Sequence, residues 1–513
     1  MEIYYFENKK IGILGLKKTG ISSFRYFQKF TQFIFCYDDD PKTRDIFISQ
    51  KHILSYTDIK WKSLDYILVS PGIRNDHQVY KLFQNVSHND CRPIIISDIE
   101  VFIHHNLKYK KDIKYICVTG TNGKSTTTSL ITHILNSSGK KFTSCGNIGN
   151  AVLDIAYDDI DNIDRSNNKR IAVNQNIDTD GYVMELSSFQ LDIGNVFVSG
   201  LSSIRILLNI AHDHMDRYES MQCYINSKRK IFNNFSNETH AIICIDDEYT
   251  MNIYNELSQK YNYKYNKNII YSTNIEQDDF YNLHELIKTK KIISISTKKT
   301  TSADICVVRN KIYFNITNNL GEPASYDILL NNKCLLGDHN FENIAAALVA
   351  CIKTGISLKQ ILTSINSFKG LPHRIEHITD YKNLTFINDS KATNVHASSK
   401  AIKLFSNIYL LAGGIAKSSD IDDIIPYIGN IKRVYLYGQD KTLLYRLFAQ
   451  YTDIKVFNTL KAALKESIYD ALKDELLCNI LLSPMCGSYD QFKSFEDRGN
   501  VFRDLVTQYV NNQ

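Results

Sequence analysis

The stretch Thr119-Gly-Thr-Asn-Gly-Lys-Ser-Thr126 lies between an apolar segment at residues 113–118, which predicts a strand, and residues 124–138, which predict a helix. A glycine loop in this position aims backbone N–H groups and the helix N-terminus at a phosphate chain. Lys124 would neutralise the outer phosphates, and the hydroxyl of Ser125 could hold Mg²⁺. The last strand position is valine where the strict phosphate-loop pattern has glycine, so a variant of that loop is predicted. A helix start without a ligand is the alternative.

Outward from this loop, three blocks of strands alternating with helical segments can be read along the 513 residues. The first block has predicted strands at residues 10–16, 33–37 and 66–70. The second block has further strands at residues 181–186, 204–210 and 241–245, and a hairpin at residues 304–316. The third block has strands at residues 384–388, 408–412, 433–437 and 479–483.

This alternation is typical of α/β proteins with parallel nucleotide-binding sheets. We therefore predict an α/β fold with three domains. An N-terminal Rossmann-like domain covers residues 1–110, and a C-terminal Rossmann-like domain covers residues 371–513. Between them, residues 111–370 form a central domain similar to the P-loop ATPases, with a mostly parallel sheet. Two polar stretches, at residues 158–180 and 288–301, are predicted to be surface insertions.

Bulk composition narrows the class of protein. Apolar residues make up 43% and charged residues 22% of the chain, which is typical of a globular protein. The net charge of +5 comes without a basic patch, so it gives no reason to expect a nucleic-acid partner. Eleven scattered cysteines without a Cys-x-x-Cys pair indicate reduced thiols in the cytoplasm. No apolar run is long enough to predict a membrane span. We also expect the protein to be a monomer.

Acidic, imidazole and lysine side chains gather in the second block. Glu185 ends an apolar strand, where a carboxylate is costly unless it is paired with a cation or bound to a metal. Residues 209–217 contain two histidines, two aspartates and one arginine, a density that favours a site. A salt-bridged structural role for Glu185, and a zinc site or an ordinary loop histidine at His214, are open alternatives. By its local pattern alone, Lys228 would lie on a solvated helix face.

Taken together, these segments resemble the Mur ligase family. The matching stretches recur in order from residue 118 to residue 499, with a weaker match before residue 73. They are residues 120–126, 146–149, 185–191, 209–218, 337–343, 370–374, 388–394, 413–417 and 483–499. Within the family, the sequences Leu-Pro-His-Arg, Asn-Asp-Ser-Lys-Ala-Thr-Asn and Asp-Gln-Phe-Lys-Ser-Phe, which end at residues 374, 394 and 495, point to the members that add D-glutamate.

The resemblance implies roles in binding ATP and metal. The catalytic residues would be Lys124, Glu185, His214 and Lys228. ATP would be bound by Gly120, Thr121, Asn122, Gly123, Lys124, Ser125, Thr126, Asn343, His373, Arg374, Asp389 and Lys391. Two Mg²⁺ ions would be held by Ser125, Glu185, His214 and Lys228. The last of these would be carbamylated, which requires a lysine that has lost its proton and hence a lowered pKa in a partly buried site.

The resemblance also implies two substrate sites. The N-terminal block would hold a UDP-linked sugar together with part of the second block, through Lys18, Thr19, Gly72, Asn147, Ser187 and Gln190. D-Glutamate would be received in the C-terminal block by Thr393, Lys417, Ser488 and the backbone near Phe495. Two stretches depart from the family pattern: Lys17 and Lys18 replace a glycine and an apolar residue, and Asp38-Asp-Asp40 stands where relatives often have threonine and arginine. Three acids near a pyrophosphate are electrostatically unfavourable, and the two lysines could compensate.

The activity implied is that of an ATP-dependent, ADP-forming ligase. It would join D-glutamate to UDP-N-acetylmuramoyl-L-alanine through an acyl phosphate, in the cytoplasmic synthesis of the peptidoglycan precursor. Another amide ligase of the same family, including the folylpolyglutamate type, is the alternative. A nucleotide-binding protein without activity is disfavoured by the intact catalytic set. A nicotinamide-linked oxidoreductase is disfavoured because Gly12-x-x-Gly15 lacks the dinucleotide fingerprint.

Overall fold

The computed structural model describes residues 4–48, 55, 57–74, 76–80, 93–110, 112–161, 163–164, 169–170, 179–197, 201–215, 217–261, 287, 290–298, 302–308, 311–317, 323–327, 332, 335, 339–416 and 420–512. The chain divides into two compact units, Met1–Leu330 with Asp338–Ile365 and Asn331–Gly337 with Asn366–Gln513. Mostly parallel sheets flanked by helices make up both units, so the predicted α/β class is confirmed. The three domains at residues 1–110, 111–370 and 371–513 stay a prediction.

The first unit begins with a four-stranded parallel sheet in the order β2-β1-β3-β4. Its strands are β1 (Ile11–Leu14), β2 (Ile34–Tyr37), β3 (Tyr66–Val69) and β4 (Ile94–Ile96). Helices α1 (Lys18–Phe27), α2 (Pro41–Ile48) and α3 (Asp98–Tyr109) follow β1, β2 and β4, and the 3-10 helix Ile59–Ser63 precedes β3. The carboxyl ends of parallel strands share one edge of a sheet, so the loops after β1, β2, β3 and β4 lie together.

A second sheet in the same unit has nine strands in the order β15-β14-β13-β12-β11-β10-β5-β9-β6. Its strands, with a separate two-residue pair β7 and β8, are β5 (Lys114–Thr119), β6 (Phe142–Gly146), β7 (Ile163–Asp164), β8 (Lys169–Arg170), β9 (Gly181–Glu185), β10 (Ser203–Leu207), β11 (Thr239–Cys244), β12 (Ile292–Ser296), β13 (Ile305–Val308), β14 (Lys311–Thr317) and β15 (Pro323–Asp327). Only the last two pairings, β13 with β14 and β14 with β15, are antiparallel. The first of them confirms the predicted hairpin.

Seven helices of the described part of the chain accompany this sheet. They are α4 (Lys124–Ser137), α5 (Val152–Asp161), α6 (Ser188–Asp192), α7 (Met221–Arg229), α8 (Glu248–Tyr261), α9 (His339–Lys353) and α10 (Leu358–Ser367), and the 3-10 helix Lys230–Phe232 follows α7. The predicted helix at residues 124–138 is confirmed to within one residue. It follows β5 directly, as the glycine loop requires.

Two predicted surface insertions are partly wrong. The lysine-rich stretch at residues 288–301 contains β12, a fully buried strand that pairs with β11 and β13. Its five residues, Ile-Ile-Ser-Ile-Ser, are apolar enough for a buried strand. The lysines on both sides make the sequence around them look like a polar surface segment. The stretch at residues 158–180 begins inside α5. There Asp159 is buried and forms an ion pair with Lys110, whose Nζ lies 2.5 Å from Asp159 Oδ2. Most of the remainder lies outside the described residues.

One hydrophobic core joins the first two sheets. It runs from Ile11 on β1 through Phe102 on α3 to Tyr182 on β9 and Ile243 on β11. The rings of Phe102 and Tyr182 meet edge to face with centroids 4.8 Å apart, a favourable aromatic geometry. This shared core explains why the first sheet and the second sheet fall into one compact unit.

The second unit is built on a six-stranded sheet in the order β16-β17-β22-β18-β20-β21. Its strands, with the short pair β19 and β23, are β16 (Glu376–Tyr381), β17 (Leu384–Asn388), β18 (Ile408–Gly413), β19 (Ile415–Ala416), β20 (Ile431–Tyr437), β21 (Asp453–Val456), β22 (Cys478–Leu482) and β23 (Cys486–Gly487). Its helices are α11 (Val395–Ile402), α12 (Lys441–Phe448), α13 (Leu460–Ala471) and α14 (Phe495–Asn511), with the 3-10 helix Ile425–Asn430. All four strands predicted in this block are confirmed, because each is a short, mostly apolar run.

Nine cysteines lie in the described part of the chain, and none of these forms a disulfide. Among the described helices, none has the length and apolar character that crossing a membrane requires.

Candidate functional site

The glycine loop lies at the carboxyl end of β5 and leads directly into α4. Gly123 has a φ of +82°, and a Cβ built there would lie 2.4 Å from Asn343 Oδ1 on α9. Only glycine therefore fits both the backbone conformation and the close approach of α9. The Asn343 side chain is held in turn by the Thr127 hydroxyl, 3.0 Å away. Helix α4 thus presents its N-terminus, with its partial positive charge, at the end of the loop.

Two lysines share one carbonyl of this loop. Lys124 Nζ donates hydrogen bonds to Gly120 O at 2.9 Å and to Thr121 O at 2.8 Å, and Lys228 Nζ donates to the same Gly120 O at 2.7 Å. Ser125 and Thr126 occupy the first turn of α4 beside Lys124, both half-buried. The loop therefore gathers positive charge where an anionic phosphate chain would lie.

Lys228 is buried, contrary to the solvated helix face that its local pattern predicts. Its exposed fraction is 1%, and its ammonium lies over the Tyr224 ring at 4.6 Å. Burial, reinforced by the positive charge of Lys124, lowers the pKa of Lys228 well below its ordinary value. The neutral amine is the form that such a site favours.

Glu185 is the last residue of β9. In the pairing of β9 with β5 it lies opposite Val118, the residue that precedes the glycine loop. The side chain is 2% exposed, and its Oε1 accepts a hydrogen bond from Asn147 Nδ2 at 3.1 Å. Its Oε2 is buried without a hydrogen-bond partner in the described structure. A buried carboxylate oxygen without a donor is costly, and a cation would satisfy it.

His214 lies on the loop after β10, with a φ of +57°. Its ring approaches Phe189 with centroids 4.9 Å apart and Tyr224 at 6.0 Å, and its Nε2 lies 3.5 Å from Asp213 Oδ2. Tyr224 therefore touches both His214 and Lys228. Across the described residues, no three histidine, cysteine, aspartate or glutamate side chains converge as a complete metal site. Phosphate oxygens, water or a modified lysine would have to supply the other ligands of a bound Mg²⁺.

Asn209 and Glu342 brace the loop, a function that the sequence interpretation did not assign. Asn209 Oδ1 accepts from the backbone N–H of Asn122 at 2.8 Å, and its amide donates to both carboxylate oxygens of Glu342 at 3.1 and 2.9 Å. Burial raises the pKa of Glu342 to about 7, although its bond to Asn209 acts in the opposite direction. The available signal was the position of Asn209 at the end of the apolar strand next to β5.

A cavity of about 480 Å³ lies at the carboxyl edge of the first sheet. Of the residues predicted to hold the UDP-linked sugar, Lys18, Thr19, Gly72, Asn147 and Gln190 all line it. The sixth, Ser187, instead caps α6 and exchanges hydrogen bonds with Gln190. The cavity extends from the first sheet to the Gly146–Asn147 corner of the second.

The three acids after β2 are each engaged in the structure. Asp38 accepts from the backbone N–H of Leu16 at 2.6 Å, and Asp39 Oδ1 lies 3.1 Å from His77 Nε2. Asp40 accepts from the Thr43 hydroxyl at 2.9 Å, and this bond, the largest influence on that carboxyl, lowers the pKa of Asp40. Their negative charge is therefore partly committed to the fold rather than directed at a ligand.

In the second unit, three predicted residues are joined by direct contacts, and a fourth, Asp389, is buried beside Ser483. His373 is buried and accepts, through its backbone carbonyl, from Lys391 N at 2.9 Å, and Lys391 Nζ lies over the Phe495 ring at 4.0 Å. Asp389 is buried and accepts from the Ser483 hydroxyl at 2.8 Å. Burial raises the pKa of Asp389 to about 7.

The other predicted residues of this unit are less closely connected. Arg374 adjoins His373 and exerts a positive field on Asp389. Thr393 N donates to Lys391 O at 2.9 Å, and Ser488 is buried just after β23. Lys417 lies outside the described residues.

A buried arginine, which the sequence interpretation did not single out, connects the segments that carry these residues. Arg498 on α14 has no exposed surface and donates to the carbonyls of Ser390, Gly413 and Cys486 at 2.9, 3.3 and 3.0 Å. Ser390 follows β17, Gly413 ends β18, and Cys486 begins β23. A planar guanidinium with five donors suits such a junction.

Known protein families and individual proteins match this chain over almost its whole length. Residues 118–351 match the family description "Mur ligase middle domain", and residues 373–480 match "Mur ligase, glutamate ligase domain". A protein of Rickettsia bellii named UDP-N-acetylmuramoylalanine–D-glutamate ligase is 38% identical over 500 residues, covering 97% of this chain and 97% of that protein. Proteins of the same name from Wolbachia pipientis and Rhodospirillum rubrum are 31% and 30% identical, each covering 98% of this chain and 97% and 95% of their own lengths.

Solved structures share the fold. A UDP-N-acetylmuramoyl-L-alanyl-D-glutamate–2,6-diaminopimelate ligase matches with a TM-score of 0.51 and 16% identity, covering 86% of this chain and 87% of that chain. The MurF ligase of Thermotoga maritima in complex with ADP matches with a TM-score of 0.50 and 11% identity, covering 92% of each chain. At such identities, the likeness shows the fold and nothing finer.

Proposed function

The chain belongs to the Mur ligase family, and we propose that it is the ATP-dependent ligase that joins D-glutamate to UDP-N-acetylmuramoyl-L-alanine. Relatives of that name at 30–38% identity over nearly the whole chain support the substrates and a place in peptidoglycan precursor synthesis. The observation that carries the proposal is the arrangement at the glycine loop, where the buried Lys228 bonds to Gly120 and the buried Glu185 lies opposite Val118. A cytoplasmic location, a monomeric state and the three-domain Rossmann and P-loop organisation complete the proposal.

The reaction needs an activated carboxylate, because amide formation from a free carboxylate in water is uphill. The γ-phosphoryl group of ATP passes to the alanyl carboxylate, which gives an acyl phosphate and releases ADP. The amine of D-glutamate then attacks the acyl carbon, loses a proton, and displaces inorganic phosphate. Both steps concentrate negative oxygens near the loop, which the ammonium of Lys124 and the N-terminus of α4 would stabilise.

The residues at the loop suit Mg²⁺. The unsatisfied Oε2 of Glu185 and the hydroxyl of Ser125 are hard oxygen donors of the kind that Mg²⁺ prefers. His214 and a modified Lys228 are the proposed ligands of a second ion. When bound, Mg²⁺ neutralises phosphate charge and polarises the phosphoryl oxygens. Asn147 would keep Glu185 oriented through its bond to Oε1.

A carbamate on Lys228 would convert a buried amine into an oxygen ligand. The neutral amine attacks CO₂, a C–N bond forms, and one proton is released to solvent. The lowered pKa of Lys228 supports this step because only the neutral amine is nucleophilic. The product carries a negative charge, which suits the cationic surroundings of Lys124.

In the second unit, we assign His373, Arg374, Asp389 and Lys391 to ATP and Thr393, Lys417, Ser488 and the backbone near Phe495 to D-glutamate. The cation of Lys417 would face the side-chain carboxylate of the amino acid. Mass spectrometry of a reaction with UDP-N-acetylmuramoyl-L-alanine, ATP and D-glutamate tests the overall proposal. The expected product is the UDP-linked sugar carrying one added glutamyl residue, formed only when ATP is present. Its absence under saturating substrates would contradict the proposal.

A further inference from the structure

We propose that Asp98 binds the sugar half of the UDP-linked substrate by accepting a hydrogen bond from one of its hydroxyl or amide N–H groups. This inference rests on the proposed function. It adds a residue that neither the family resemblance nor the site described above assigns.

Asp98 is a buried acid at the wall of the cavity, where a ligand could reach its carboxylate. It is the first residue of α3, is 4% exposed, and lines the 480 Å³ cavity. Its Oδ1 accepts from the backbone N–H of Ile99 at 3.0 Å, which is its only hydrogen bond to the described residues. The second carboxylate oxygen therefore lacks a donor. Burial raises the pKa of Asp98 to about 6, although the backbone N–H groups of Ile99 and Asp98 act in the opposite direction.

The sheet order places Asp98 at one end of the cavity. The loop after β2 carries Asp38–Asp40, and Asp98 follows β4, three strand intervals away in the order β2-β1-β3-β4. At about 4.8 Å per interval, the two ends are roughly 14 Å apart. Between them, the N-terminus of α1 follows β1 and brings Lys18 and Thr19 to the cavity. A pyrophosphate in the middle would leave the nucleoside at one end and the sugar at the other.

The orientation of the substrate follows from where its acid must react. The alanyl carboxylate hangs from the sugar and has to reach the glycine loop. Asn147 lines the cavity and bonds to Glu185, so the end of the cavity near β6 is the one that leads to the loop. Asp98 lies on that side. It is close enough to Cys145 on β6 for its negative charge to raise the pKa of that thiol, although burial and Cys117 have larger effects. The sugar therefore occupies the end that contains Asp98.

The chemistry of the sugar matches what Asp98 lacks. Phosphate and carboxylate groups offer only acceptors and would be repelled by a carboxylate, whereas sugar hydroxyls and the acetamide N–H are donors. A hydrogen bond from such a donor to a buried carboxylate is charge-assisted, and its loss typically weakens binding by about tenfold or more.

The test compares two ligands on the full chain by isothermal titration calorimetry: UDP-N-acetylmuramoyl-L-alanine and UDP. Asp98→Asn keeps the bond to the Ile99 N–H but replaces the second oxygen with a donor, and Asp98→Ala removes both. We expect both variants to lose about tenfold or more in affinity for the full substrate and less than twofold for UDP. Asp154→Asn, a half-buried aspartate on α5 outside the cavity lining, is the matched control and should behave as wild type.

Two results would overturn the role of Asp98. One is wild-type affinity of both variants for the full substrate, and the other is an equal loss for UDP and for the full substrate. If Asp98→Ala does not fold, Asp98→Asn decides between these results alone. Failure of the wild-type chain to bind the UDP-linked sugar would instead contradict the proposed function, so the two failures are distinguishable.

Discussion

The side-chain amide of Asn147 donates to Glu185 Oε1 at 3.1 Å, and its backbone N–H donates to Glu185 O at 2.8 Å. Asn147 lines the cavity of the first sheet, and Glu185 lies opposite the start of the glycine loop. One residue thus connects the cavity assigned to the UDP-linked substrate with the site assigned to the phosphates and Mg²⁺. This connection lets the account be tested one residue at a time.

Asn147→Ala should raise the Mg²⁺ concentration needed for half-maximal phosphate release. Without the amide, both oxygens of Glu185 lose their fixed orientation, and loss of such a supporting bond typically costs tenfold or more in metal affinity. Asn150→Ala, an exposed asparagine three residues away, is the matched control. An unchanged Mg²⁺ dependence of Asn147→Ala would remove Glu185 from the metal site.

Lys124→Ala and His214→Ala should each reduce ADP release by a factor of about 10² to 10³, with an unchanged circular dichroism spectrum. The first variant removes the ammonium proposed to stabilise the phosphates, and the second removes a proposed metal ligand. Lys140→Ala, an exposed lysine just beyond α4, controls for loss of charge. Near-normal ADP release from either site variant ends the catalytic assignment of that residue.

Lys228→Ala should be inactive, and added acetate or formate should restore part of the rate. A small carboxylate can occupy the space left by the side chain and supply the oxygens that a carbamate would supply. The same additions should not rescue Lys124→Ala, because that lysine contributes a cation. Full activity of Lys228→Ala, or the absence of rescue at any carboxylate concentration, counts against a carbamate.

The half-buried acid next to the loop, Glu342, predicts a pH effect on the stability of the first unit. Glu342 has a pKa of about 7 in the folded chain and an ordinary value near 4.5 when unfolded, so the folded state binds more protons between these values. Its contribution to the free energy of unfolding is therefore complete below pH 4.5 and is lost as the pH rises through 7. The nearby Asp246 and Asp247 act in the same direction.

Between pH 5 and pH 8, the free energy of unfolding should therefore fall less in Glu342→Gln than in wild type. The difference between the two decreases should be about 1–3 kcal/mol. Urea unfolding can be followed by the fluorescence of Trp61, the one tryptophan of the sequence, which is fully buried in the first unit. Identical pH dependence in the two proteins would show that Glu342 does not titrate in this range.

Much of the fold could be predicted because its strands are short apolar runs between helical segments. The failures are equally specific. Strand β12 was missed since lysines flank its five residues, and burial in the middle of a sheet depends on neighbours that are distant in sequence. Asp159 looks like a surface acid until α5 brings it to Lys110.

The candidate site shows the same limit. Lys124 and Ser125 can be recognised from local spacing alone, because strand, loop and helix are contiguous. Lys228 cannot, since its meaning arises from a bond to Gly120, 108 residues earlier in the chain. The brace from Glu342 through Asn209 is also formed across 133 residues, and the local sequence shows only that Asn209 lies at the end of an apolar strand. Family resemblance supplied the role of Lys228 and the need for a partly buried site, but not the contacts that bury it.

The most direct test of the central claim is phosphate release from ATP and UDP-N-acetylmuramoyl-L-alanine, measured separately with D-glutamate, L-glutamate, L-alanine and meso-diaminopimelate. The account predicts rapid release with D-glutamate and background release with the other three. Release that depends on any of those three but not on D-glutamate would contradict it.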